Sequence, residues 1–222
     1  MELLEERVTK RKFPFSKESK DLYACSVRCM LGWCFLPQAR AYAYGVYCDR
    51  RFYQAAERML RGHPPEGSLT KMVLDECERE AAGDSTAQGG TISVLLLMNI
   101  PIDGAHLAHG FLNSAGKRIQ RKVGNGESMQ ELRFITDAIQ RIPTLNAGDE
   151  VEFCWNSAEG WLGCLVNGKE IARSSNPVLA RTIIDCYVSE RSVSVPGAKA
   201  FSENLEGMAR QGRGYAKDML NY

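Results

Sequence analysis

The sequence predicts one α+β domain, and three observations carry that prediction. Strand-like segments come in hairpin pairs rather than in βαβ units. Helical segments cluster between them, at 50–61 with 68–81 and at 103–123 with 127–142. One segment, Thr91 to Ile100, is almost continuously apolar, the pattern of a strand buried on both faces.

Residues 1–20 are polar and read as a loosely structured segment ahead of a domain at 21–210, with a mobile tail at 211–222. Two runs rich in β-branched, aromatic and small apolar residues then flank a turn punctuated by Gly32 and Pro37, giving a β-hairpin over about 22–48. Helical spacing of Phe52, Ala55, Ala56, Met59 and Leu60 follows, with Gly62 as a stop and His63 in a loop. Ser68 is placed to cap a second helix carrying Leu69, Met72, Val73 and Cys77 on one stripe. The Gly-rich stretch 82–90 is a loop by composition.

Pro101 ends the apolar strand, and Asp103 caps a helix that should run to about Val123. A further amphipathic helix spans Glu127 to Ile142. Val151 to Trp155 alternates as a strand, with Glu150 and Glu152 expected in solvent. Trp161–Val166 and Lys169–Arg173 flank Asn167-Gly168, a strong hairpin-turn signal. Pro177, after Asn176, opens an apolar helix to about Val188, and a last helix lies near 198–210.

Composition narrows the function. The 222 residues carry 44% hydrophobic and 25% charged residues and a net charge of +1, so bulk charge suggests neither nucleic acid nor an anionic membrane as a partner. The acidic start, Met1-Glu-Leu-Leu-Glu-Glu, has no secretory signal core, and the longest apolar run is too short to span a bilayer. The basic pairs around Lys117-Arg118 and Arg121-Lys122 read as solvated helix faces. The eight cysteines have neither C-x-x-C spacing nor finger-like pairing, so unpaired structural thiols in a reducing, intracellular compartment are expected, whether cytoplasmic or in an organelle after transit-peptide removal. No Ser-His-Asp or paired-carboxylate constellation has a usable spacing. No metal or other cofactor is called for, and a monomer is expected.

Arg28 and Tyr42 are the candidate site. Opposite residues in an antiparallel pair have a constant index sum, and a turn centred near Phe35 sets these two against each other on one face. A guanidinium beside a phenol hydroxyl on an otherwise apolar face can hold one anionic oxygen.

Five motifs in order resemble one family. Cys25-Ser-Val-Arg28 with Ala41-Tyr-Ala-Tyr-Gly45-Val-Tyr47-Cys-Asp49, Asp103-Gly-Ala-His-Leu-Ala-His-Gly-Phe111, Leu145-Asn-Ala-Gly-Asp-Glu-Val-Glu-Phe153, Val166-Asn-Gly-Lys-Glu-Ile171 with Asn176 to Tyr187, and Ser192 to Lys199 together resemble the chalcone isomerase-like domain over about residues 15–205. The resemblance implies an open-faced β-sandwich, a large curved antiparallel sheet covered on one side by helices, with a ligand cleft between.

In the family's enzymes, flavanone ring closure relies on an Arg, a Thr, and a Tyr and Asn seven residues apart. Of these, only Arg28 is kept in kind: the others fall on Tyr42, Leu107 and Ser114, and a late-strand Thr falls near Lys169. The Arg and Tyr match the non-catalytic branch, whose plant members bind fatty acids. The resemblance therefore implies a fatty acid or similar amphipathic carboxylate held at Arg28 and Tyr42, with Leu107, Phe111, Ser114, Leu95, Leu97 and Met98 as cleft candidates. The alternatives are a true isomerase acting through Arg28, a haem binder using His106 or His109, and a scaffold for a partner enzyme.

Overall fold

The computed structural model describes residues 3–29, 35–62 and 67–211. Gly32, Cys34, His63 and the tail from residue 212 lie outside the described residues, and so do the turn, loop and mobile tail expected there. Seven strands, β3 (Ser16–Lys17), β4 (Lys20–Cys29), β5 (Arg40–Asp49), β6 (Thr91–Met98), β7 (Glu150–Asn156), β8 (Trp161–Val166) and β9 (Lys169–Ser174), form an antiparallel sheet in sequence order. Sequential order follows from hairpin-type connections, and the helices between β5 and β6 and between β6 and β7 return the chain to the adjacent strand.

Those helices are α1 (Arg50–Gly62), α2 (Leu69–Ala81), α3 (Gly104–Phe111), α4 (Lys117–Val123) and α5 (Glu127–Gln140), followed by α6 (Pro177–Val188) and α7 (Val195–Gln211). They pack on one face, where Tyr44, Val46, Ile92, Val94, Leu96, Phe153 and Trp155 meet Phe52, Val73, Leu107, Ile183 and Phe201 in a continuous core. The α6 helix is buried over most of its circumference, as an all-round apolar helix must be. Its boundaries match the sequence reading, and the Asn176 side chain accepts from the Leu179 N–H at 2.9 Å as its cap. Ser68 likewise caps α2, accepting from the Lys71 N–H.

Four expectations need correction. The N-terminal segment is structured: β1 (Leu3–Glu5) and β2 (Lys12–Pro14) pair as a small sheet. Phe13 from β2 is fully buried against Leu22, Ala43, Tyr47, Leu95 and Leu97, on the sheet face away from the helices. Gly45 makes room for it, because a Cβ there would sit 2.8 Å from the Phe13 ring. Arg11 ties the same segment to β6 through the Met98 carbonyl at 2.8 Å and Asn99 Oδ1 at 3.0 Å.

Second, Glu152 is not solvated. It is 5% exposed and pairs with Lys17 at 2.7 Å and Lys20 at 3.4 Å, because β7 is an interior strand whose outer face these lysines cover. Third, the helix over 103–123, capped by Asp103 and ending at Val123 as expected, is not α-helical throughout. Residues Leu112–Gly116 form a π-turn between α3 and α4, and Ser114 Oγ there donates to the Gly110 carbonyl at 2.9 Å. The last helix also starts three residues early, since Pro196 and Gly197 are tolerated in a first turn.

Fourth, not every thiol is unpaired. Cys25, Cys48, Cys77, Cys154, Cys164 and Cys186 are free, whereas Cys29 is disulfide-bonded. Burial pushes the Cys25 thiol up to about 12, so it is a packing group rather than a nucleophile.

Candidate functional site

The β4–β5 pair sets up the site. Arg28 is the register partner of Tyr42, as the constant index sum requires. A register shift comes immediately after, with Cys29 opposite Arg40, so Ala41 and Tyr42 both turn toward the helices. Above them lie Leu107 and Phe111 of α3 and Ser114 of the π-turn. Tyr187 of α6 and Val193 close the side, and Ile102 and His106 complete the wall.

Gly104 holds α3 in place. A Cβ there would overlap the carbonyl oxygens of Ile139 and Ile142, so only glycine lets α3 start this close to the end of α5. Phe111 is further fixed edge-on to Phe153, with ring centroids 4.8 Å apart.

The enclosed volume is ≈ 130 Å³. A cavity of about 150 Å³ holds one benzene-sized group. The space therefore takes a head group and a few carbons as it stands, and is far too small for a tetrapyrrole.

Polar groups converge at one end. Arg28 is exposed at the mouth, donating to the Val193 carbonyl at 3.2 Å. Tyr42 is buried, its hydroxyl 3.4 Å from that of Tyr187. Burial pushes Tyr42 up, partly offset by the hydrogen bond from Tyr187 and the charge of Arg28. Burial pushes Tyr187 up further, and the neighbouring Tyr42 adds to it. Both hydroxyls are therefore protonated at neutral pH and able to donate to an anionic or carbonyl oxygen.

The structure thus brings together Arg28, Tyr42, Leu107, Phe111 and Ser114, five of the seven residues proposed for ligand binding from the sequence. It separates the other two. Leu95 and Leu97 point to the opposite face of β6, where they pack on Phe13; Leu96 and Met98 face the helices instead. His106 sits exposed at the cavity rim, while His109 is exposed and does not line the cavity. Lys169 is exposed near the β8–β9 turn and likewise does not line it.

Tyr187 is the contributor that sequence reasoning passed over. Its only signal is that it is the one tyrosine in an otherwise largely apolar helix.

The seven-stranded curled antiparallel sheet with helices layered on one face is the chalcone isomerase-like fold. A crystal structure of a fatty-acid binding protein from Arabidopsis thaliana superposes with a TM-score of 0.71, at 18% identity, covering 94% of this chain and 100% of that one. No protein-family model matches the chain, and no curated protein matches its sequence. No helix among the described residues is long and apolar enough to cross a membrane.

Proposed function

We propose that the protein binds a fatty acid or similar amphipathic carboxylate, without catalysis, in the cavity between the β4–β5 hairpin and α3. The observation that supports this most is the placement of Arg28 at the mouth of a cavity walled by Ile102, Leu107, Phe111 and Val193, register-paired with a buried Tyr42 whose hydroxyl meets that of Tyr187. Two neutral donors and one fixed positive charge suit a carboxylate, and charge-assisted hydrogen bonds offset its desolvation. Each tail methylene placed in the cavity contributes about 0.8 kcal/mol. A tail longer than the present volume has to displace the Leu107 and Phe111 side chains that wall the cavity.

The isomerase alternative finds less support. Leu107 offers no donor, and the Ser114 hydroxyl already donates within its own helix. Enolate formation requires donors aimed at the reacting carbonyl, and Tyr42 and Tyr187 alone would have to supply them.

Calorimetric titration with dodecanoate tests the reading. Wild-type protein should bind, and Arg28→Ala should weaken binding roughly 10- to 100-fold, the worth of a hydrogen bond to a charged group. No binding by either protein, or equal binding by both, contradicts it. Conversion of naringenin chalcone at an Arg28-dependent rate would favour the enzyme instead.

A further inference from the structure

A second groove lies beside the mouth of the cavity. It encloses ≈ 500 Å³ and is lined by Arg28, Lys117, Arg118, Arg121, Lys122 and Arg191, together with Asn113, Ser114, Ser192 and Val193. Arg28, Ser114 and Val193 line both spaces, so the two adjoin. Six cationic side chains line this groove with no carboxylate among them, on a chain whose net charge is only +1.

The arrangement works against stability. Lys117 and Arg121, and Arg118 and Lys122, are like-charge pairs four apart on one helix, a spacing that destabilises an isolated helix. Arg121 and Lys122 gain from the last turn of α4, where cations complement the helix dipole. That account does not extend to Arg28, Lys117 or Arg191, which come from three separate segments. Lys122 is paired with Glu78 at 2.7 Å. Arg118 is fixed by the Asp185 carbonyl at 2.9 Å, Ser189 Oγ at 3.2 Å and the Arg191 carbonyl, which leaves its charge in place and holds the 185–191 segment against α4. Lys117, Arg121 and Arg191 have no ion-pair partner among the described residues.

We propose that this groove is a head-group site, and that the ligand is an acyl ester or thioester whose alcohol or thiol portion carries phosphate. The acyl chain enters the cavity, its carbonyl oxygen accepts from Arg28 and Tyr42, and the phosphates lie along Lys117, Arg121 and Arg191. The proposal rests on the reading of the cavity as an acyl site and specifies the group attached beyond the acyl carbonyl. A carrier thioester and a lysophospholipid share this chemistry.

The test compares four probes by calorimetry: dodecanoate, lauroyl-coenzyme A, 1-lauroyl-glycerol 3-phosphate and coenzyme A without an acyl chain. At low salt, at least one phosphorylated acyl probe should bind roughly tenfold or more tightly than dodecanoate, with the advantage shrinking as salt rises. The double variant Lys117→Ser/Arg121→Ser should remove that advantage while leaving dodecanoate binding within about twofold of wild type, as expected for exposed side chains outside the cavity. Which phosphorylated probe binds better separates carrier from lipid. Equal affinity for all acyl probes, an advantage untouched by the double variant, or coenzyme A binding as tightly as its lauroyl ester each overturns the proposal. Tight binding of a phosphorylated acyl probe with none of dodecanoate would keep the groove and reject the free carboxylate as ligand. Binding of dodecanoate alone would do the reverse.

Discussion

The two faces of the sheet are both buried, but by different means. On the inner face, helices cover an aromatic core that leaves a polar-ended cavity beside Tyr42 and Tyr187. On the outer face, a short N-terminal hairpin seals a small apolar cluster around Phe13, and beside it Lys17, Lys20 and Glu152 form a sheltered ion network. The outer face is closed by few residues, each carrying much of the burial. The inner face is covered redundantly by several helices, which is what lets it tolerate a void and two buried hydroxyls. Stability and binding should therefore divide between the faces.

The largest expected effect is on the outer face. Phe13→Ala removes the ring that fills the space above Gly45, and should cost about 3–5 kcal/mol in urea unfolding. Below its melting range the variant should still bind dodecanoate as wild type does. Lost binding in a folded Phe13→Ala protein would show that the two faces are coupled.

The ion network comes next. Burial alone would raise the Glu152 carboxyl, but the hydrogen bond from Lys17 and the charge of Lys20 hold it below its ordinary 4.5. A depressed carboxylate contributes stability that is present above the unfolded value and is lost as pH falls through the folded one. Burial likewise opposes the Lys20 charge, yet the field of Cys154 and Glu152 raises it above 10.5, so its contribution is present below that value and lost at higher pH. Glu152→Gln leaves a buried lysine short of its partner and should cost about 3 kcal/mol near neutrality. Urea midpoints across the acid range should fall more steeply for wild type than for the variant; parallel curves would remove Glu152 from the account.

A matched pair gives the sharpest contrast at smaller cost. Leu97→Ala and Leu107→Ala delete the same atoms from opposite sides of the structure, and each should lose about 2 kcal/mol, the low end for buried leucine. Only Leu107→Ala should alter the chain-length preference for fatty acids, toward longer chains, because only Leu107 lines the cavity. A chain-length shift in Leu97→Ala would mean the ligand lies on the outer face.

Much of this arrangement is legible in the sequence, and the gaps have physical causes. The Arg28–Tyr42 register follows from an index sum, the α2 and α6 caps from Ser68 and Asn176, and the β8–β9 turn from Asn167-Gly168; all are local signals. Strands β1, β2 and β3 have three, three and two residues, too few for any periodicity to declare them. Alternation along β6 separates Leu95 and Leu97 from Leu96 and Met98, but it cannot say which set meets the helices. Glu152 looks solvated because its partners Lys17 and Lys20 lie more than a hundred residues away in sequence. Tyr187 joins the site only once α6 is docked, which no spacing within that helix reveals.

A crystal structure of the protein with bound dodecanoate tests the central claim most directly. The expected result is a carboxylate within hydrogen-bonding distance of the Arg28 guanidinium and the Tyr42 hydroxyl, with the tail against Leu107 and Phe111. A carboxylate remote from both Arg28 and Tyr42, or an acid bound on the outer face of the sheet, would contradict it.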